Sequence, residues 1–251
     1  MRFDILTLFP DYVNIILSES IIGKAREKGC IEVCTHDIRA FCGNKHGRVD
    51  DTPYGGGMGM LMMAPPIYDC YEAVMRQIPQ GASRRCIYLS PKGERLTQEK
   101  VRSLAQYDDL ILLCGHYEGV DQRVLDEIAD EEISVGDYVL TGGELPACIL
   151  VDAVSRLCEG VLSDSVCYEE ESIASGLLEY PQYTRPEEFM GRKIPDVLIS
   201  GNHAKIEEWK REQSIKTTFL KRPDMLKSAK LSEKELEYVN RLKSEKNNRE
   251  V

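Results

Sequence analysis

LILLCG at residues 110–115 is apolar at every position before its glycine. A strand with one wet face alternates apolar and polar side chains. A strand that is apolar throughout needs cover on both faces, as in the middle of a parallel sheet. FDILTLF at 3–9, IEVCTHDI at 31–38 and CIYLS at 86–90 are also strand-like. Helical periodicity fills the intervals at 11–28, 66–77, 97–106, 121–129 and 144–159, the last stopped by Gly160. Thr97 is placed to cap its helix. The alternation predicts an α/β domain on a mainly parallel sheet. A chain of 251 residues is long enough for that domain and a smaller second one.

The pattern breaks after residue 162. SDSVCYEEESIAS at 163–175 is acidic and poor in helical signal, which predicts a mobile interdomain linker over 163–176. Pro181, Pro186 and Pro195 mark turns beyond it, followed by basic helical stretches at 204–214 and 232–246. Residues 177–251 are therefore expected to form a small helical domain after a first domain of residues 1–162. In it Asn202 would cap the first helix, Trp209 would anchor the core, and the end of the chain would fray.

The chain carries 32 basic and 42 acidic side chains, and a net charge of −10 argues by itself against nucleic acid. The charge is unevenly spread: residues 1–176 hold 16 basic and 29 acidic groups, residues 177–251 hold 16 and 13. The second part is the candidate polyanion-facing module, although charge alone favours a solvated helical face of mixed sign. No apolar run approaches the roughly 18 residues of a membrane span, and the start MRFDILTLFPDY lacks a signal pattern, which points to the cytoplasm. Nine cysteines, an odd number with no C-x-x-C pair, read as reduced and mostly buried there. Cys30, Cys34, His36, Cys42 and His46 are the one cluster with metal-ligand residue types. Cys30 and Cys34 fall on one face of a strand, poor geometry for a tetrahedral site, so no metal is expected there.

YGGGMGM at 54–60 lacks the Lys-Ser/Thr of a phosphate loop, and no strand runs into a G-x-G-x-x-G turn. More informative are LSPKG at 89–93, CGHYEG at 114–119 and ISVGDYVLTGGELP at 133–146, each following a strand. Ligands of open α/β sheets bind outside the carboxyl ends of the strands, so these loops are expected to converge. Rich in glycine and poor in cations, they suit a neutral or zwitterionic adenosine-like ligand better than a bare triphosphate.

Six segments, in order, resemble the bacterial tRNA (guanine-N1)-methyltransferases of the TrmD family, which modify position 37. They are DDTPYGGGMGMLMM, CGHYEGVDQRV, DEEISVGDYVLTGGELPA, VDAVSRLCEGVL, SGLLEYPQYTRPEEF and PDVLISGNHAKIEEWKR. The resemblance extends from Leu6 to about Leu226, nearly the whole chain. It implies a SPOUT-type parallel sheet with a deep C-terminal trefoil knot, followed by a small helical domain. General topology rules argue against a knot, so this expectation comes from the resemblance alone. The resemblance further implies S-adenosylmethionine as methyl donor and tRNA with guanine at position 37 as substrate. It also implies a homodimer with the active site at the subunit interface, and a divalent ion, magnesium, for which no ligand set can be read.

By the same resemblance, Tyr88, Leu89, Ser90 and Pro91 form the first cofactor loop and Gly115, Tyr117, Glu118 and Gly119 the second. Ser134, Val135, Gly136, Asp137, Tyr138, Val139 and Leu140, with Gly142 and Gly143, form the third. Arg156 matches the family's catalytic arginine, and Glu118 a carboxylate near cofactor and target base. His46, Asp50 and Asp51 would lie near the tRNA. Lys205, Lys210 and Arg211, with Lys216, Lys221 and Arg222, would contact phosphates, which position an RNA without reading its sequence. His116 is not assigned as a base, because a loop histidine that packs or hydrogen-bonds is the commoner case.

Methylating guanine N1 requires a general base, since that nitrogen carries a proton in the neutral base. It also calls for a cation to meet the charge that shifts toward O6, and a target base out of its stack. The family's base is an aspartate in an Asp-Ser-Phe sequence; here the residues are Glu171-Ser172-Ile173. Glutamate is longer by one methylene, and a displacement of about 1 Å costs roughly a hundredfold in rate. Glu171 acting from a shifted backbone is the first expectation, Glu169 or Glu170 reaching in is the second, and a slow or altered enzyme is the third. The competing functions are a catalytically impaired tRNA-binding protein on the same fold and a SPOUT methyltransferase acting on another RNA.

Overall fold

The structure, a computed structural model, describes residues 1–43, 47–162 and 176–247. The chain divides into two units, Met1–Ser165 and Val166–Val251. They part inside the segment read as a linker, but residues 163–175 lie outside the described residues, and the expectation of mobility lies there with them.

The first unit is built on five parallel strands in the order β2-β1-β6-β5-β7. They are β1 (Arg2–Thr7), β2 (Glu32–Asp37), β5 (Arg84–Arg95), β6 (Asp109–Cys114) and β7 (Glu131–Ser134). A second, small sheet pairs β3 (Asp50–Asp51) with β4 (Leu61–Met62). Helices α1 (Pro10–Leu17), α2 (Ser20–Glu27), α4 (Gln98–Leu104) and α6 (Glu144–Ser155) cover one face of the large sheet. Helices α3 (Ala64–Met75) and α5 (Gln122–Ile128) cover the other. Strand β6 joins the two layers: Leu110, Leu112 and Cys114 pack with Val13, Val101 and Val151, while Ile111 and Leu113 pack with Ile67, Val74 and Leu125. Each fully buried aliphatic side chain contributes about 1.5–3 kcal/mol, so a strand without alternation stabilises both layers.

The helix expected over 11–28 is two helices. Val13 and Leu17 are buried on α1, Ile22 and Ala25 on α2. In a straight helix Ile22 would lie about 140° round from Leu17; an extended Glu19 (φ −105°, ψ 164°) breaks the helix and returns Ile22 to the core. Thr97 caps α4 by accepting the Lys100 N–H at 3.2 Å. Strand β5 runs past residue 90, but its pairing with β7 slips: Leu89 and Glu94 both align with Ile133, so residues 90–93 are extruded from the ladder. Strand β7 is short, acidic and paired only with β5, too brief to show a pattern of its own.

In the second unit, α7 (His203–Lys221) and α8 (Glu233–Asn247) accompany a hairpin of β8 (Glu188–Phe189) and β9 (Arg192–Lys193). Its core gathers Leu177, Ile215 and Val239 with Phe219, Leu226 and Leu231. Asn202 caps α7, accepting the Lys205 N–H at 3.2 Å. Trp209 is not part of this core, contrary to expectation. Six residues before Ile215, it is turned about 120° away from it, and it sits half-buried against Tyr180 and Tyr183, with ring centres 6.3 and 6.4 Å away.

A buried ionic cluster lies near the amino end of the large sheet. Arg2 donates twice to the fully buried Asp4, at 2.7 and 2.8 Å, and His36 Nε2 lies 2.6 Å from Asp4 Oδ1. Burial works against ionising Asp4, but the hydrogen bonds of His36 and Arg2 outweigh it and hold its pKa below the ordinary value. Asp109 is buried with no hydrogen-bond partner for either oxygen among the described residues. Burial first, and the charge of Asp4 second, push its pKa up to about 7. The stability Asp109 contributes is therefore present below its unfolded pKa of about 3.9 and is lost as pH rises through 7. Asp109→Asn, which mimics the protonated acid, is expected to match wild type below about pH 4, to melt progressively higher than wild type as pH rises from about 4 to 7, and to keep a lead of several degrees near pH 8. Thermal unfolding across that range measures it.

Candidate active site

At the carboxyl ends of β5, β6 and β7, the three segments that follow them enclose a cavity of about 340 Å³, a volume suited to a small ligand. Ser90, Pro91 and Lys92 of the extruded stretch form one wall, and the loop opened by Gly115 forms the second. The return from β7 to α6 forms the third, drawn back over the end of β6 by the Gly143 N–H, which donates to the Gly115 carbonyl at 2.9 Å. Side chains other than hydrogen do not fit this crossing: a Cβ on Gly143 would lie 2.7 Å from the Cys114 Cα.

Of the residues assigned to the cofactor, Tyr88, Leu89, Ser90, Pro91, Gly115, Tyr117, Glu118, Gly119, Ser134, Val135, Gly136, Tyr138, Val139, Leu140, Gly142 and Gly143 all line the cavity. Asp137 does not. Its side chain points outward and meets Arg95 at 2.5 Å, about four-fifths exposed. The local reason is a tight turn in which Ser134 Oγ accepts the Gly136 N–H at 3.2 Å and donates to the Gly136 carbonyl at 3.0 Å.

Lining residues that the sequence left out include Leu61, Lys92, His116, Glu132, Thr141 and Pro146. Most are neighbours in the named loops. Leu61 has no such signal: β4 delivers it, held to the loop after β6 by Met62 N–H donating to the Gly119 carbonyl at 2.9 Å and Glu118 N–H donating to the Met60 carbonyl at 3.0 Å. The glycine segment 54–60 therefore ends beside the cavity. Burial first, and then the Glu132 charge, push the Tyr88 phenol up to about 12, so it stays neutral. The exposed Tyr138 and Val139 add apolar surface to the lining. Its charged side chains are Lys92, Glu118 and Glu132, two carboxylates to one ammonium, a balance that accommodates a cationic or zwitterionic ligand.

The remaining assigned residues lie elsewhere. Arg156 is the C-cap of α6 and does not line the cavity. Asp50 is in β3, opposite Met62. Glu171 and His46 lie outside the described residues. In the second unit Lys205 is exposed, Lys210 pairs with Glu207 at 2.7 Å and lies over the Tyr180 ring, and Arg222 pairs with Asp224. Arg211 ties α7 to α8 through Glu235 at 2.6 Å and the Lys230 carbonyl, so a phosphate would have to compete for it. Among the described residues no three His, Cys, Asp or Glu side chains are gathered to hold a metal ion.

A parallel sheet with glycine-rich loops converging on one cavity at its carboxyl ends places the chain among the α/β proteins, a class whose ligand sites lie at such strand ends. The particular family follows from comparison with known proteins. The family model described as tRNA (guanine-1)-methyltransferase TrmD matches residues 1–228, and the chain belongs to that family. A relative from Alkaliphilus metalliredigens, named tRNA (guanine-N(1)-)-methyltransferase, is 52% identical over 246 residues, covering 98% of this chain and 100% of the relative. Proteins of the same name from Geobacillus kaustophilus and Clostridioides difficile are 50% and 52% identical, over 98% and 91% of this chain and 100% and 99% of their own lengths.

The close crossing and the exposed ion pair are expected to behave differently. Gly143→Ala should destabilise the chain by roughly 1–3 kcal/mol through forced displacement of α6 from β6. Asp137→Ala should change stability by less than about 1 kcal/mol. Urea unfolding of the two variants beside wild type measures both.

Proposed function

We propose that this chain transfers a methyl group from S-adenosylmethionine to N1 of guanine 37 in tRNA. The observation that carries the proposal is the convergence of three glycine-rich loops on one cavity, in a chain that belongs to this family over most of its length. The cavity fits the cofactor in chemical character. It offers backbone groups at Gly115 and Gly142, the neutral Tyr88 phenol, apolar surface at Tyr138 and Val139, and a surplus of carboxylate for a sulfonium. When bound there, the cofactor supplies an electrophilic methyl group.

The protein's own residues then have three tasks. Glu171 removes the N1 proton as the new bond forms. Arg156 stabilises negative charge on O6. Glu118, beside the cavity, orients the reacting groups. Residues 177–251, the net basic part of the chain, hold the tRNA with Lys205, Lys210 and Arg211 among their phosphate contacts. The return from β7 across the end of β5 to α6 is read as the deep trefoil knot of the SPOUT fold, supported by the strand order and by the Gly143–Gly115 contact. The enzyme is placed in the cytoplasm, with its substrate.

The functional unit is proposed to be a homodimer. Ile15 and Ile16 on α1 and Leu145 and Ile149 on α6 are exposed, and α1 packs against α6, so they form an apolar patch on the first unit. Such a patch is a docking surface for a second copy. Ile149→Lys is expected to convert dimers to monomers in sedimentation velocity and to lower methyl transfer with them.

The decisive assay follows labelled methyl transfer, with magnesium present and absent, to transcripts bearing guanine or adenine at position 37. Label on guanine N1 alone is the expected result. Binding of tRNA and cofactor without transfer would reassign the chain to a tRNA-binding protein. In single-turnover reactions Glu171→Gln is expected to lose about a hundredfold or more, while Glu171→Asp keeps activity. Full activity in Glu171→Gln would move the base to Glu170 or Glu169.

A further inference from the structure

A ring of contacts closes behind the cavity. Thr7, the fully buried last residue of β1, accepts the Phe9 N–H at 2.9 Å and donates to Glu144 Oε1 at 2.8 Å. Glu144, the first residue of α6, is 4% exposed. The Phe9 ring lies against the His116 ring, 5.1 Å between centres, and Tyr117 meets His116 edge-on at 4.9 Å. These contacts hold the imidazole in place while its buried Nδ1 has no hydrogen-bond partner among the described residues.

Glu144 Oε2 and His116 Nδ1 both border the space that a side chain at Gly142 would fill. A Cβ added there would lie 2.4 Å from Glu144 Oε2 and 2.7 Å from His116 Nδ1, and Gly142 is bridged antiparallel to His116. Buried polar atoms in folded proteins are overwhelmingly paired, and an exception at a ligand site marks a group with a functional constraint. Here the nearest carboxylate faces the unpaired nitrogen across a residue without a side chain.

We infer that Glu144 is a positioning residue for the methyl-donor site. With the cavity filled, His116 carries its proton on Nδ1 and donates it in a hydrogen bond to Glu144 Oε2. One carboxylate then ties the loop after β6 to both β1 and α6. Two walls of the cavity, at Gly115 and Gly142, are held at a fixed spacing by that bond. This rests on the reading of the cavity as the S-adenosylmethionine site. Glu144 is in that case unable to act alone: its effect on the cofactor passes through His116.

Titration calorimetry with S-adenosylmethionine on wild type, Glu144→Gln, His116→Phe, which keeps an aromatic ring but removes the donor, and the double variant tests the coupling. Each single change is expected to weaken binding by about tenfold or more, the range of a hydrogen bond to a charged group. The double variant is expected to bind no more weakly than the worse single one. Thr7→Ser, which keeps the hydroxyl, should bind like wild type. Additive losses, or unchanged affinity in Glu144→Gln, would overturn the inference while leaving the cofactor site standing. Wild type that fails to bind S-adenosylmethionine would overturn the cofactor reading, and this inference with it. Should Glu144→Gln fold poorly, ¹⁵N-histidine spectra of wild type decide, with His116 assigned by its loss in His116→Phe. A proton on Nδ1 at saturating cofactor is expected; the Nε2–H form would overturn the proposal.

Discussion

The position of β5 between β6 and β7 governs the rest of the first unit. Because β7 is an outer strand and α6 packs on β6 and β1, the chain leaving β7 has to return across the carboxyl ends of the sheet. That return passes over β5, whose own register slip pushes residues 90–93 out to meet it, and it lands on the loop after β6. The cavity is the space these crossings enclose. Glycines at 142 and 143 are what permit the landing, since the backbone of one loop lies in contact with the backbone and side chains of the next.

Polar groups are used very differently at the two ends of this sheet. Near the amino end, the buried Asp4 and Asp109 lie with the partly buried Arg2 and His36, and burial and the charge of Asp4 push the pKa of Asp109 up to about 7. Near the carboxyl end, the buried Glu144 has a single hydroxyl partner and faces an unpaired imidazole nitrogen. The first arrangement is packed away from the cavity. The second shares its loops with the cavity wall, and the tolerance of a cavity for a cationic ligand grows with such carboxylates nearby. The basic groups of residues 177–251 are partly committed to internal pairs such as Arg211 with Glu235.

Much of this was legible in the amino-acid sequence. LILLCG announces a central strand because burial on two faces leaves no room for polar residues, and Thr97 and Asn202 announce caps because their side chains compete for backbone N–H groups. The break between α1 and α2 was visible only in the five-residue step from Leu17 to Ile22. The place of Trp209 depends on which face of α7 packs inward, and one apolar residue does not settle that. Asp137 belongs to the cofactor loop that the resemblance implies, but the turn closed by Ser134 aims its side chain at Arg95 and away from the cavity.

Local sequence determined the elements, their caps, the glycine-rich loops and, through six segments in order, the family. These depend on backbone propensity, burial period and steric demand, all of which act over a few residues. The tertiary structure alone decided that Leu61 lines the cavity, that Thr7 meets Glu144 across 137 positions of chain, and that His116 Nδ1 has no partner among the described residues. Those facts follow from strand order and from backbones crossing at contact distance, and no local pattern encodes which distant segment will arrive.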